Sequence, residues 1–302
     1  MPKEKDIAEK TLESCDDVFA DIVNTLVFGG RNVVRPEELT DAVTTSQMKL
    51  DGALHEQERD TAKFWNGREI RLALIGLENM TVPERDFVLR VFGYDGAAYR
   101  EQVNARISAR RAGQKPRAVY PAITLVLYFG ERRWTAPRTL RECLEVELPP
   151  ELLEMVPDYR LHVVELAHLP PEQVEAFQSD FFLPVYYLNH PDSVPPGDRL
   201  IRHVDASMKL MTAITGDPKY ITAGQELTSD GKEDNIRMSY MFERAEARGE
   251  ARGRAAERQA LQAELDRKDR EIAELTRQLA RFTGGKITEG NYPSSGENSR
   301  VY

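Results

Sequence analysis

The stretch Glu58–Met80, ERDTAKFWNGREIRLALIGLENM, decides the fold because it reads as two strands joined by a turn. In its second half, apolar residues first alternate with polar ones and then run without interruption from Leu74 to Leu77. This pattern is typical of a strand that becomes buried on both faces toward its end. Glu78 follows the run directly, so the sequence predicts a carboxylate where the strand leaves the core.

The distance between Asp60 and Glu78 depends on the turn that joins the two strands. A tight two-residue turn at Asn66-Gly67 pairs Asp60 with a residue five positions short of Glu78. Five residues at about 3.3 Å each span roughly 16 Å, whereas two ligands of one Mg²⁺ lie about 2 Å from it. A shared metal site therefore requires a wider loop, centred near Glu69, or a bend that brings Asp60 inward.

Two alternatives to this interpretation of Asp60 stay open. HEQERDTAKFW can also be read as a helix, which makes Asp60 a surface acid. Asp51, beside a turn signal at Asp51-Gly52, is a rival acid.

The residues after Glu78 predict the start of a helix. Thr81-Val82-Pro83-Glu84 has the spacing of a capping box, with proline in the first turn. We therefore expect a helix to begin within about three residues of Glu78. The free N–H groups of such a helix end would favour a bound phosphate.

The chain resembles the PD-(D/E)xK nuclease superfamily in its order of features. An acid precedes a hairpin, a glutamate ends the second strand, and a helix follows. The blocks GLENMTVPERDFVLRVFGYDGAAYREQV and YPAITLVLYFGERRW resemble more closely the Rpn family of recombination-promoting nucleases and transposase-like proteins. This resemblance runs from about residue 5 to about residue 215. It implies an Mg²⁺- or Mn²⁺-dependent DNA endonuclease linked to recombination or transposition, with Asp60 and Glu78 as catalytic metal ligands.

The chain departs from the family pattern at Met80. In the family a glutamine two residues after the glutamate replaces the superfamily lysine, and a thioether cannot polarise a water as those groups can. Arg90 or Gln102 on the following helix is a candidate replacement. A helix like that of Ile7–Phe28 borders the active site in the family, so Asp21 either supports the metal or is an exposed helix acid.

The remaining pattern agrees with an α/β fold built on a restriction-endonuclease-like core. A helical stripe over Ile7–Phe28 ends at two glycines, and further strands are predicted at Gln47–Leu50, Tyr120–Gly130 and Tyr159–Leu166. We expect a nuclease-like domain over 1–170, a helical extension over 171–240, a long helix or coiled coil over 241–283, and a disordered tail over 284–302.

The charge of the chain limits how it can bind DNA. The net charge is −9 and the pI about 5.3, which argues against coating nucleic acid through bulk positive charge. One basic segment is a candidate for a local contact with DNA. The alternative interpretation is a solvated helix end whose cations interact with the helix dipole. The cationic residues of this segment are Arg100, Arg106, Arg110, Arg111, Lys115 and Arg117.

The C-terminal helix carries an apolar seam in alternating four- and three-residue steps. The seam contains Leu261, Leu265, Ile272, Leu275, Leu279 and Phe282, with Lys268 at one seam position. This spacing predicts a coiled coil that pairs two copies of the chain, and the alternative is a single solvated helix.

Other features point to a cytoplasmic protein without a membrane segment. The longest apolar run, Ala122–Phe129, is far short of the roughly 20 residues that cross a bilayer. Two cysteines are too few for a disulfide framework, and the five histidines lack the spacing of a metal site. Beside the nuclease interpretation, we keep a rival: a nuclease-derived DNA-binding or assembly protein that has lost cleavage and acts through its coiled coil.

Overall fold

The computed structural model describes residues 2–282, apart from 43–44, 51–52, 59, 68–70, 192, 194 and 230–235. The rival acid Asp51, the expected loop centre Glu69 and the tail 284–302 therefore lie outside the described residues. The chain divides into two units, Met1–Ala245 and Glu246–Tyr302.

The described residues form nine α-helices and nine strands, and the last helix begins in the first unit and continues into the second. The helices are α1 (Pro2–Glu13), α2 (Asp16–Phe28), α3 (Phe87–Arg111), α4 (Pro150–Met155), α5 (Pro171–Ala176), α6 (Phe182–Asn189), α7 (Val204–Thr215), α8 (Lys219–Ser229) and α9 (Met238–Phe282). The strands are β1 (Leu39–Asp41), β2 (Thr45–Leu50), β3 (Ala53–Glu58), β4 (Thr61–Asn66), β5 (Arg71–Met80), β6 (Ala122–Tyr128), β7 (His162–Glu165), β8 (Leu200–Ile201) and β9 (Ile236–Arg237).

The first unit is a mixed α/β fold around a five-stranded mixed sheet. Its strand order is β1-β4-β5-β6-β7, and β2-β3 and β8-β9 form separate two-stranded pairs. The β1–β4 and β4–β5 pairs are antiparallel, whereas β5–β6 and β6–β7 are parallel. The connection through α3 explains the change, because parallel neighbours require a crossover. The strands predicted near residues 47–50, 70–78, 120–130 and 159–166 are confirmed.

The register of β4 with β5 decides the position of Asp60. Thr61 pairs with Leu77, and the pairing continues to Trp65 opposite Ala73, with a bulge before Asn66. The pairs are thus centred on residue 69, as the wider loop requires. A tight Asn66-Gly67 turn is therefore wrong. The helical interpretation of HEQERDTAKFW is also wrong, because residues 55–58 belong to β3, Asp60 lies in a bend and residues 61–65 belong to β4.

The two faces of the sheet have different apolar cores. Odd-numbered residues of β5, such as Ile75 and Leu77, pack with α2 and the segment from α5 to α7. Even-numbered Met80 packs with Phe87 and Val88 of α3 and with Val126 of β6. Because β5 and β6 are covered on both faces, they carry the continuous apolar runs that the sequence analysis identified.

The predicted helix over Ile7–Phe28 is in fact two helices. The chain leaves α1 after Glu13, and the residue before α2, Cys15, has an extended backbone. Asp16 and Asp17 then lie in the first turn of α2, where the helix dipole favours acids. Gly29 ends α2 with φ 62°, as the paired glycines predicted.

The expected helix start beside Glu78 is wrong. The backbone from Thr81 to Asp86 forms bends and turns, and α3 begins at Phe87. Phe87 and Val88 are fully buried, so packing against the sheet, rather than the capping-box spacing, sets where the helix begins. The helix then continues through Gly93 and Gly96 to Arg111.

In the second unit, the described residues from Glu246 onward belong to α9 and are exposed or half-exposed. None of the described helices in either unit is both long and apolar enough to cross a membrane.

Candidate functional site

The polar side chains at the carboxyl end of β5 lie on both faces of the sheet. Glu78, 4% exposed, and Met80 follow the even positions toward α3, whereas Asn79 follows the odd positions toward α1. The buried glutamate therefore lies at the end of the central strand, where it leaves the core.

Asp60 reaches the same end of β5 from the bend that precedes β4. Its Oδ2 accepts a hydrogen bond of 2.7 Å from the backbone N–H of Asn79. Its Oδ1 lies 3.0 Å from the ammonium of Lys10 on α1. The structure therefore brings Asp60 to the residue that follows Glu78, with a helix lysine as its counter-ion.

Two further acids in this region come from α1 and were missed by the sequence analysis. Glu9 and Glu13 are 4% and 0% exposed, and Glu13 Oε2 accepts a hydrogen bond of 2.8 Å from the side-chain amide of Asn79. The signal was present: Glu9 and Glu13 lie four residues apart, each directly after an apolar position, Ala8 and Leu12, on one side of the helix.

Burial raises the pKa of Glu13 well above its usual range. The hydrogen bond from Asn79 lowers the pKa, the negative charges of Glu9 and Asp60 raise it further, and Lys10 lowers it. Glu13 Oε1 is buried and has no hydrogen-bond partner among the described residues. A positive charge in this cluster would therefore be stabilising.

A metal ion needs several converging ligands, and the cluster does not yet supply them. Within the described parts of the chain, no three His, Cys, Asp or Glu side chains converge closely enough to hold a metal. The Lys10 ammonium is the cation next to Asp60. Carboxylate oxygens are the donors that a hard divalent cation prefers. Asp60 and the buried Oε1 of Glu13 offer such oxygens beside α1, whereas the Glu78 side chain lies on the α3 face of β5.

Met80 and its two proposed substitutes have different environments. Met80 is 7% exposed in the core beside α3, and its Sδ lies 3.8 Å from a guanidinium nitrogen of Arg90. Gln102 bonds both backbone groups of Tyr120, at 3.0 and 3.1 Å, before the start of β6. Of the two, Arg90 is therefore the cation beside the Met80 position, and Gln102 is at the opposite end of the sheet.

Asp21 does not join the acids at β5. Its Oδ2 accepts hydrogen bonds from the backbone N–H groups of Gln178 and Ser179, at 2.9 and 2.7 Å, in the turn before α6. Asp21 therefore stabilises the turn before α6.

The predicted basic run lines a groove at the other end of the sheet. The groove has a volume of ≈500 Å³ and lies between the C-terminal half of α3 and the segment before β6. Its cationic lining residues are Arg71, Arg106, Lys115 and Arg117, while Arg100, Arg110 and Arg111 are exposed on α3. Arg71 begins β5 and Glu78 lies seven residues later, roughly 23 Å along the strand.

A second cleft, of ≈820 Å³, opens at the carboxyl ends of β5 and β6. Its lining includes Thr81–Pro83, directly after β5, and the exposed Arg132 and Arg133 after β6. Arg133 lies 3.7 Å from Glu165, so one carboxylate offsets part of its charge. Ligands of open α/β sheets commonly bind at this edge. No motif in the sequence had pointed to this arginine pair.

The cleft has a tight corner at Gly130. A Cβ at this position would lie 2.2 Å from Tyr128 Oη and 2.8 Å from the carbonyl oxygen of Thr81. Glycine is needed here because the Tyr128 ring folds back over the chain and packs edge-on against Trp134.

His203, directly before α7, has a partner on another helix. His203 Nε2 lies 2.8 Å from Asp17 Oδ1 on α2, while Asp205 pairs with Lys209. The hydrogen bond to Asp17, with a further contribution from Cys15, raises the pKa of His203 to about 10. The pair links α2 to the start of α7.

This geometry stands without support from relatives, because no protein-family model matches the chain and no match was found among curated proteins or solved structures.

Proposed function

We propose that the chain is a divalent-metal-dependent DNA endonuclease whose centre lies at the carboxyl end of β5. One observation carries the proposal: the Asp60 carboxylate lies 2.7 Å from the N–H of the residue after Glu78. Asp60 thus lies at the same end of β5 as Glu78, although eighteen positions separate the two acids in the sequence. The element order, with an antiparallel meander, a crossover helix and a parallel strand, supports a PD-(D/E)xK-type core.

In this proposal Asp60 and Glu78 would hold the metal at the carboxyl end of β5. Mg²⁺ or Mn²⁺ would lower the pKa of a bound water and stabilise the negative charge on the phosphate. Burial, and then the negative charges of Glu9 and Asp60, raise the pKa of Glu13, and a cation bound nearby would offset both effects.

Lys10 is the proposed replacement for the polar group missing at Met80. Its ammonium lies 3.0 Å from Asp60 and its side chain is 29% exposed, so Lys10 is both beside an acid of the site and open to solvent. A lysine there can attract a DNA phosphate as a point charge. Arg90 lies against the buried side of Met80 and is paired with Glu84, so it is the weaker candidate.

The DNA contacts in this proposal are local. Arg132 and Arg133 would bind backbone phosphates beside the cleft, and the groove with Arg106 and Arg117 would bind phosphates farther along the duplex. The proposed biological setting, recombination or transposition, rests on the Rpn resemblance.

A second candidate function is DNA binding or assembly without cleavage. It is favoured by the buried thioether at Met80 and by the ion pair that already occupies Asp60. Under this alternative Lys10 is a permanent counter-ion, and the acids serve stability.

Nicking of supercoiled plasmid with Mg²⁺ or Mn²⁺ tests the two candidates. We expect metal-dependent nicking that Asp60→Asn and Glu78→Gln each reduce at least a hundredfold, because each removes an anionic metal ligand. Glu145→Gln, which changes an exposed acid paired with Arg85, is the matched control and should keep full activity.

Folding of each variant is checked by its thermal transition. A well-folded wild-type protein that binds DNA but does not nick with either metal would exclude the endonuclease and favour the assembly function. If both site variants retain nicking activity, the active centre lies elsewhere in the protein.

A further inference from the structure

The helix α9 carries an exposed apolar seam to which the proposed endonuclease assigns no role. We define the α9 seam as Leu261, Leu265, Ile272, Leu275 and Leu279. These side chains are between 48% and 60% exposed, and they repeat in the three- and four-residue steps of a helix that pairs with another helix. Isolated apolar residues are normal on a surface, but an aligned row of this length indicates a binding face.

The charges beside the α9 seam have one sign. The positions that flank an apolar stripe in a coiled coil are Gln262, Glu264, Asp269, Glu271, Thr276 and Gln278. Three of these six residues are acidic and none is basic. The arginines of the same segment, Arg267, Arg270 and Arg277, lie at positions that face away from a partner.

These charges disfavour a second copy of the chain as the partner. In a parallel pair, Glu264 of one copy would lie beside Asp269 of the other, twice by symmetry, and like charges there are repulsive. An antiparallel pair centred on the seam brings Glu271 against Glu271. In the parallel pair Lys268 also faces its own copy across the seam. Flanking charges select partners in this way because matched pairs attract and mismatched pairs repel.

The intrahelical ion pairs do not remove this preference. Glu264 lies 3.5 Å from Lys268 and 3.9 Å from Arg267. Each of these side chains is at least half exposed, and such surface pairs contribute little. The acids beside the seam therefore remain able to pair with cations on another helix.

We propose that the α9 seam binds an amphipathic helix of another protein, one that carries lysine or arginine beside its own apolar stripe. Burial of the leucines supplies the affinity, and the acidic flanks supply the selection. This proposal is independent of the endonuclease, because it concerns α9 alone.

Two synthetic helical peptides test the proposal against the full-length chain. Both have the same leucine and isoleucine seam over about four heptads; one has lysine at every flanking position and the other glutamate. We expect the lysine peptide to bind at least tenfold more tightly by fluorescence anisotropy, with affinity that falls as salt rises.

Variants of the chain distinguish binding through the α9 seam from general electrostatic attraction. Leu265→Gln with Leu275→Gln keeps the net charge and should abolish binding of the lysine peptide. Glu264→Lys with Glu271→Lys should reverse the preference between the peptides, whereas Glu274→Lys, on the outer face, should leave it unchanged.

Three results would overturn the proposal. One is equal affinity for the two peptides, or none for either. Another is binding that survives the double glutamine substitution, which would assign it to bulk charge. The third is a full-length dimer at tens of micromolar by analytical ultracentrifugation that Leu275→Gln dissociates, because a second copy would then occupy the seam.

Discussion

Lys10 balances the charge of the acids at the end of β5, so its removal should make that region depend on an added cation. Lys10→Met breaks the 3.0 Å pair with Asp60. We expect the variant to unfold about 2–4 °C earlier, for a loss of about 1 kcal/mol. Millimolar Mn²⁺ should then raise its melting temperature more than that of the wild type, because the metal replaces the ammonium.

Lys209→Met is the control for Lys10, because its ammonium pairs with one exposed acid on α7. Its response to Mn²⁺ should equal that of the wild type. An equal response in Lys10→Met, measured by differential scanning fluorimetry, would contradict a cation site at Asp60.

Glu13 predicts a pH dependence of stability with a definite sign. Its pKa is raised in the folded state, so the folded protein binds the proton more tightly than the unfolded chain does. Below the ordinary pKa of 4.5, the carboxyl therefore does not lower the free energy of unfolding. The free energy of unfolding falls as pH rises through the folded pKa, because the buried carboxyl then ionises.

Glu13→Gln, which cannot ionise, should remove this cost. The melting temperature of the variant relative to wild type should be higher at about pH 8 than at about pH 5. A difference between the two proteins that does not change with pH would show that Glu13 is uncharged or uncoupled throughout.

Gly130 offers a test of packing at the cleft. Gly130→Ala forces a methyl group to within 2.3 Å of the Tyr128 ring and 2.8 Å of the Thr81 carbonyl oxygen. We expect a loss of about 1–3 kcal/mol in the free energy of unfolding, measured with urea. Gly96→Ala, where an added Cβ meets nothing within 4 Å, should be neutral or slightly stabilising, because alanine favours a helix interior.

Among residues, sequence reasoning found those that follow a clear pattern. The burial of Glu78 was predictable because an apolar strand ends at it. The approach of Asp60 to the same strand end follows from the wider hairpin centred on residue 69, one of the two arrangements that the sequence left open. Glu9 and Glu13 were missed because acids on a helix are normally read as its solvated face. Their burial depends on how α1 meets the sheet, which no local pattern records.

At the scale of elements, the link between α2 and α7 predicts a second pH dependence. The pKa of His203 is raised to about 10, largely by its hydrogen bond to Asp17, whose own pKa is lowered by the same bond. The contribution of His203 is complete below 6.5 and is lost as pH rises toward about 10; that of Asp17 is lost as pH falls below 3.8. The pair is therefore most stabilising between about pH 4 and 6.5.

His203→Gln should lower the free energy of unfolding by about 2 kcal/mol near pH 6, the usual range for a charged hydrogen bond, and by less near pH 10. His162→Gln, which changes an exposed histidine at the start of β7, should show no such pH-dependent loss. Equal losses for His203→Gln at both pH values, from urea unfolding, would mean that the imidazole is not charged in the fold.

Elements were predictable where burial repeats along the chain, and less so at their ends. The apolar runs of β5 and β6 were found because a central strand is covered on both faces. The start of α3 was misplaced by several residues, because the capping-box spacing competes with the packing of Phe87 and Val88. The break between α1 and α2 was missed because the apolar stripe continues across it.

At the scale of the whole molecule, the division into two units predicts that metal-dependent nicking and peptide binding can be separated by truncation. Truncation after Glu250 keeps Met241 and Ala245, which are buried in the core of α7 and α8. We expect the truncated chain to keep the melting temperature of the full chain within about 1–2 °C. Its metal-dependent nicking should be unchanged, and binding of the lysine-flanked peptide should be lost.

A truncated chain that melts much earlier would show that the rest of α9 stabilises the first unit. At this scale the sequence predicted the mixed α/β core and the long helix, because both depend on repeated local patterns. The preferred partner of that helix was harder to predict, because it depends on which charges face which across an interface.

The ion pair between Lys10 and Asp60 has a consequence for how the protein is made. Many metal sites are assembled only when the ion arrives, so that folding waits for the metal and chelators unfold the chain. Here the polypeptide carries its own counter-ion, and the acids can be brought together during synthesis with no ion present. In the proposed endonuclease, metal occupancy would then follow the free concentration of the ion. Under that proposal, a cell would be able to store the folded protein inactive and switch it on by a rise in that concentration.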